Sequence, residues 1–337
     1  MDLLSQLGVF ALQTLFIVVA IVVVLIVFFS LLSKARDQKS ELEIENLNEK
    51  FEHFAAALKH QLLTKKELKA EQKKLKQESK KKDKLKKTTI YVLDFNGDVK
   101  ANPVQSLRDE VSSILLVASP QDEVFLRLES PGGMVHGYGL AASQLVRIRE
   151  KGIPLVVSVD KVAASGGYLM ACTANKILSA PFAIIGSIGV VAQVPNFHKL
   201  LKKNQIDYNE YTAGEFKRTV SMLAEITPAG EAKFKDQLEQ THTLFKNFVS
   251  KNRPQLQMEK VATGEYWYGE QALSLGLVDS LQTSDDYLLS KKNSHELIRV
   301  ATLHKKKLTE KLSDFMEKSL IRIWSRLWTE SEYSKLP

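Results

Sequence analysis

An α/β fold around a mostly parallel sheet is what this sequence predicts, and three observations predict it. From Thr88 onward, short apolar and β-branched runs alternate with amphipathic stretches of ten or more residues, the pattern of strand–helix units. Glycine clusters sit where those runs hand over to a helix or a turn. The 337 residues are 44% hydrophobic, enough for a large buried core and too much for a wholly disordered chain. The single cysteine, Cys172, cannot close an internal disulfide, and no Cys/His set has zinc spacing. No metal or cofactor is expected.

The elements follow in order. No charged residue lies between Asp2 and Lys34, and every residue from Leu15 to Phe29 is apolar. Such a stretch is long enough to cross a hydrocarbon layer of ~30 Å. It lacks the basic start and the small-residue cleavage site of a signal peptide. Residues 1–33 therefore read as a retained anchor whose membrane segment is 8–32. Residues 34–87 read as a charged helical stalk. Leu47, Phe51, Phe54, Leu58 and Leu62 recur at helical spacing, and residues 65–87 hold twelve Lys against four acids. That tract carries the whole net charge of +8, so the rest of the chain sums to zero. A basic body built for nucleic acid is not indicated. A stalk touching anionic lipid head groups and a solvated spacer helix are equally compatible with the tract.

From Thr88 the strands expected are Ile90–Asp94, Val124–Leu128 and Leu155–Val159, with helices from Val104 to Ala118 and from Val135 to Lys151. Ile177 to Val194 is weakly polar, but Pro181, Gly186 and Gly189 break it into short buried strands, so it is not a second span. Thr227-Pro228 predicts a helix start, with Thr as cap and Pro in the first turn, and the helix should reach about Lys251. Residues 291–337 read as a C-terminal amphipathic helical segment, with Leu308, Leu312, Phe315, Leu320, Trp324 and Trp328 on one face.

Three glycine clusters could carry chemistry: Ser130-Pro-Gly-Gly133, Ala163-Ala-Ser-Gly-Gly-Tyr168 and Gly186-Ser-Ile-Gly-Val190. A serine at a helix start faces the positive dipole end, and a following glycine lets a substrate carbonyl approach the backbone closely. One N–H from each of the first two clusters would make an oxyanion hole. A nucleophilic serine needs a base. Of the seven histidines only His136 falls near a glycine cluster in the sequence, and it reads as a surface or packing residue. A lysine can serve if desolvation lowers its affinity for the proton. Composition cannot choose among 47 basic residues, although Lys217 stands apart from the Lys-rich tract, after a Gly turn.

Together with Gly214-Glu-Phe-Lys217 and Ala272-Leu-Ser-Leu-Gly-Leu-Val-Asp279, the three clusters resemble the signal peptide peptidase A family of serine peptidases, closest to its short SohB branch. The resemblance covers residues 88–290. It implies Ser165 as nucleophile, Lys217 as general base, Gly133 and Gly166 as oxyanion donors, and a fold of repeated β-β-α units of the ClpP/crotonase type. It also implies a homo-oligomeric ring in which the serine of one copy meets the lysine of the next. The substrates implied are membrane-associated peptides or proteins at the bacterial inner membrane. Long relatives hold the catalytic ring on the outer side of that membrane. Lys34, Arg36 and Lys39 after the span place the body in the cytoplasm by the positive-inside rule, so the side stays open. Two other readings compete: a crotonase-type acyl-CoA enzyme and a non-catalytic membrane scaffold.

Overall fold

The computed structural model describes residues 41–64, 66–68 and 88–303, with Thr14, Phe16 and Ile21. The rest of the expected anchor, most of the Lys-rich tract and the C-terminal stretch from residue 304 lie outside the described residues. Among the described residues no helix is long and apolar enough to cross a membrane.

The chain opens with β1 (Glu41–Asn46), α1 (Leu47–Leu62), β2 (Thr88–Asn96), α2 (Val104–Val117), β3 (Glu123–Glu129) and α3 (Val135–Glu150). Next come β4 (Leu155–Val159), β5 (Val162–Ala164), α4 (Gly166–Ala171), β6 (Lys176–Ser179), β7 (Ile184–Gly186) and α5 (His198–Lys203). The long helix α6 (Pro228–Asn252) precedes α7 (Met258–Val261), β8 (Tyr266–Tyr268), α8 (Gly269–Ser274), β9 (Ser280–Leu281), α9 (Ser284–Lys291) and β10 (His295–Leu303). Seven strands form one sheet in the order β1-β10-β2-β3-β4-β6-β9, and every pair from β10 to β9 is parallel. A smaller sheet runs β5-β7-β8.

Burial on both faces explains why the central strands read as mostly apolar runs. All five residues of β4 are buried. Successive side chains alternate between faces. Val124, Leu126 and Leu128 of β3 join Val111 and Ile114 of α2 and Leu145 and Ile148 of α3 in the larger core cluster. Phe125 points into a second cluster with Leu47, Tyr287 and Leu288, where its ring stacks on Tyr287 at 4.9 Å. The Thr227 hydroxyl accepts from the Gly230 N–H at 3.1 Å and caps α6 as its sequence predicts.

Two stretches depart from the sequence expectation. Residues 41–46 of the expected stalk form a strand at the sheet edge, and the expected helical segment after residue 291 begins with β10, paired to β2. Tertiary pairing decides both. Asn48 donates to the Lys292 and His295 carbonyls at 2.7 and 3.1 Å and accepts from the Leu297 N–H at 2.7 Å, tying α1 to the start of β10. Arg299 of β10 donates to Asp94 of β2 at 2.7 Å. Burial pushes the Asp94 carboxyl up, but bonds from Arg127 and Arg299 outweigh it and hold the group below its ordinary range. The compact unit consequently spans Leu42–Thr302.

The Ala272–Asp279 stretch ends in a half-buried clamp. Asp279 accepts from Arg253 at 2.8 and 2.9 Å and from the Ile177 N–H at 2.7 Å, and the Arg253 side chain is 4% exposed. Removing the carboxylate leaves the buried Arg253 guanidinium with the Gly276 carbonyl, at a cost of about 2–4 kcal/mol, below that of a fully buried pair because Asp279 is partly exposed. Asp279→Ala should lose that much in urea unfolding. A loss below about 1 kcal/mol, typical of a surface pair, would contradict the clamp.

Candidate active site

Backbone pairing brings the three glycine clusters together. Where β3 ends, the Ser130 N–H donates to the Val162 carbonyl at 2.8 Å, and the Ala164 N–H donates back to Ser130 at 3.0 Å. The Ser165 N–H then donates to the Gly186 carbonyl, at the end of β7, at 2.8 Å. The first cluster is thereby pinned to the second, and the second to the third.

Ser165 sits on the sharp turn between β5 and α4 with φ +52° and ψ −116°, a conformation that costs an L-residue about 1–3 kcal/mol. Its side chain is half-buried at the positive end of α4. The Pro131-Gly132-Gly133 turn packs directly on it. A Cβ added at Gly132 would lie 2.8 Å from both the Gly166 nitrogen and the Ser165 Cβ, and one at Gly166 would collide with the Tyr138 ring. A hydrogen-bond chain holds this turn. The Gly132 N–H donates to Ser130 Oγ at 3.1 Å, and Tyr138 gives its proton to the Asp98 carbonyl at 2.8 Å. Ser130 Oγ therefore donates to the Tyr138 oxygen, at 2.6 Å. Neither the Gly133 nor the Gly166 N–H has an acceptor among the described residues.

Ser165, Gly133 and Gly166 open into one groove of about 870 Å³. Its walls are largely apolar, with Val99, Val135, Leu169, Val190, Phe245 and Phe248 among them, and no Asp, Glu, Lys or Arg side chain lines it among the described residues. Apolar walls of this kind, once a substrate fills the groove, strengthen a hydrogen bond to a developing charge. Cys172 is no rival nucleophile, because it is buried and burial pushes its thiol up.

Lys217 is not among the groove's lining residues. It is exposed, on a turn where its N–H donates to the Gly214 carbonyl at 3.1 Å. The segment around it, residues 190–226, leaves Val191, Phe197, Leu200, Tyr211, Phe216 and Met222 exposed. His136 is likewise exposed and outside the groove. His242 of α6 does line it, which sequence reasoning missed. Proximity along the chain was the wrong measure, since the ring meets Ile188 across 54 residues. The helical spacing of Thr241, His242, Phe245 and Phe248 was the available signal.

The family model described as Peptidase family S49 N-terminal matches residues 2–145, and the Peptidase family S49 model matches residues 147–297. A relative named Probable protease SohB, from Haemophilus influenzae, is 50% identical over 344 residues, covering 98% of this chain and 97% of its own. Another of that name, from Buchnera aphidicola subsp. Acyrthosiphon pisum, is 57% identical over 227 residues, covering 67% and 68%. Among solved structures, a mutant 1510-N membrane-bound stomatin-specific protease shows 16% identity and a TM-score of 0.38, covering 69% of this chain and 99% of its own. Half-identity along nearly the full length of both chains, joined to two adjoining family matches, means that this chain belongs to peptidase family S49, in its SohB branch.

Proposed function

We propose that the protein is a membrane-anchored serine endopeptidase of the bacterial inner membrane, built on a ClpP/crotonase-type core. Ser165 is its nucleophile and Lys217 of a neighbouring copy its general base. Lys217 takes the Ser165 proton as Oγ attacks the scissile carbonyl, and the N–H groups of Gly133 and Gly166 receive the oxyanion. The protonated lysine then donates to the leaving amine, and water releases the acyl group by the reverse sequence.

The observation that carries this reading is the strained Ser165 in an apolar groove beside two unengaged N–H donors. A base from another copy accounts for an exposed Lys217 on a segment rich in exposed large apolar side chains. Covering that segment in a ring would bury it and supply the desolvation a lysine base needs. Val190 and Val191 line the groove and begin the same segment, so a neighbour seated there would reach the nucleophile's side. The apolar walls suit extended hydrophobic peptides, such as signal-peptide remnants and misfolded envelope proteins, and the Lys-rich tract would hold the ring near anionic lipid. Membership of a peptidase family favours hydrolysis over acyl-CoA chemistry.

A fluorophosphonate probe on the full-length protein tests the proposal. Wild type should label at Ser165, and Ser165→Ala and Lys217→Ala should not. Wild-type labelling in either variant would reject the pair.

A further inference from the structure

One polar side chain of the groove has no part in the chemistry above. His242 is 21% exposed, and its Nε2 lies 3.2 Å from the Ile188 carbonyl oxygen. A carbonyl only accepts, so Nε2 carries the proton. Nδ1 turns toward Glu239 Oε2 of the same helix, 4.0 Å away. Among the described residues neither ring nitrogen makes a hydrogen bond to Ser165.

What the ring does hold is the third glycine cluster. Ile188 lies two residues beyond Gly186, whose carbonyl accepts the Ser165 N–H at 2.8 Å. Gly186 and Ser187 both have positive φ, +102° and +50°, which glycine adopts freely and Ser187 only with strain, so a second strained serine stands directly behind Ser165. Strain persists only where the surroundings over-determine it. Backbone bonds from Ser187 to Glu265 at 2.7 Å and from Gly189 to Ser187 at 2.9 Å supply part of that restraint. Among the described residues, His242 supplies the one side-chain hydrogen bond to residues 186–190.

We infer that His242 is a positioning residue: through the Ile188 carbonyl it fixes the turn that fixes Ser165. This rests on Ser165 being the nucleophile. It predicts that the donor matters and the imidazole does not.

Steady-state hydrolysis of a fluorogenic apolar peptide by the full-length protein, with fluorophosphonate labelling rates alongside, tests it in His242→Leu, His242→Gln and Ser165→Ala. His242→Leu should lose about 10- to 100-fold in kcat with KM little changed, the scale of a small misplacement at the reacting atoms. His242→Gln keeps an N–H donor and should recover most of that loss, with the wild-type pH profile. Equal losses in Leu and Gln, a shifted pH limb in Gln, a rise in KM alone, or no loss in Leu would each overturn the proposal. Should His242→Leu fail to fold, His242→Met, which also lacks a donor, takes its place with the same loss expected, and wild-type kcat in it would overturn the proposal. Persistent labelling of Ser165→Ala would sink the serine reading itself and the proposal with it, a result distinct from failure in the His242 variants.

Discussion

Replacing Ser165 by glycine should abolish peptidase activity, by a factor on the order of 10⁶, while making the protein more stable. The first half follows from removing the proposed nucleophile. The second follows from the backbone. At φ +52° and ψ −116° the serine stores about 1–3 kcal/mol that glycine, lacking a Cβ, does not. Glycine's greater freedom in the unfolded chain costs about 0.5–1 kcal/mol in return. Strain relief is the larger effect, so a net gain of about 1 kcal/mol is expected in urea unfolding. Ser165→Ala should be equally inactive without that gain, because alanine keeps the Cβ. An inactive glycine variant less stable than the alanine one would show that the turn is not strained at this residue.

Lys217→Ala should lower kcat by about 10²–10⁴-fold, the usual contribution of a positioned general base. Stability of a single copy should stay within about 0.5 kcal/mol, because Lys217 is exposed and makes no buried contact. Lys217→Arg should not rescue the rate, since a guanidinium keeps its proton at any working pH. Rate loss without stability loss would mark a chemical role. Wild-type kcat in Lys217→Arg would remove the lysine from the mechanism.

How much of this was legible in the sequence depended on whether the cause was local. Leu155–Val159 could be read as a strand because a strand buried on both faces is apolar at nearly every position, with Ser158 its one polar residue. Thr227-Pro228 could be read as a helix start because the cap and its donor lie three residues apart. The glycine clusters announced themselves because tight turns and close backbone approach need glycine wherever they occur. Strands β1 and β10 were not legible, since each is a strand by virtue of the sheet edge it meets, and Asn48 binds β10 across more than 240 residues. The same holds for His242, which reaches Ile188 only because α6 folds back over the groove. Lys217 stood apart in the sequence only by its place after a Gly turn, away from the Lys-rich tract, and its role came from the resemblance; the structure of one copy leaves it exposed and off the groove.

That outward lysine frames the most direct test. Full-length copies carrying Ser165→Ala and copies carrying Lys217→Ala, each inactive alone, can be co-expressed and purified as one assembly. If each site joins the alcohol of one chain to the amine of the next, random mixing should restore roughly a quarter of wild-type activity, the share of junctions where an intact serine faces an intact lysine. Mixed assemblies as silent as either parent would contradict a site shared between copies.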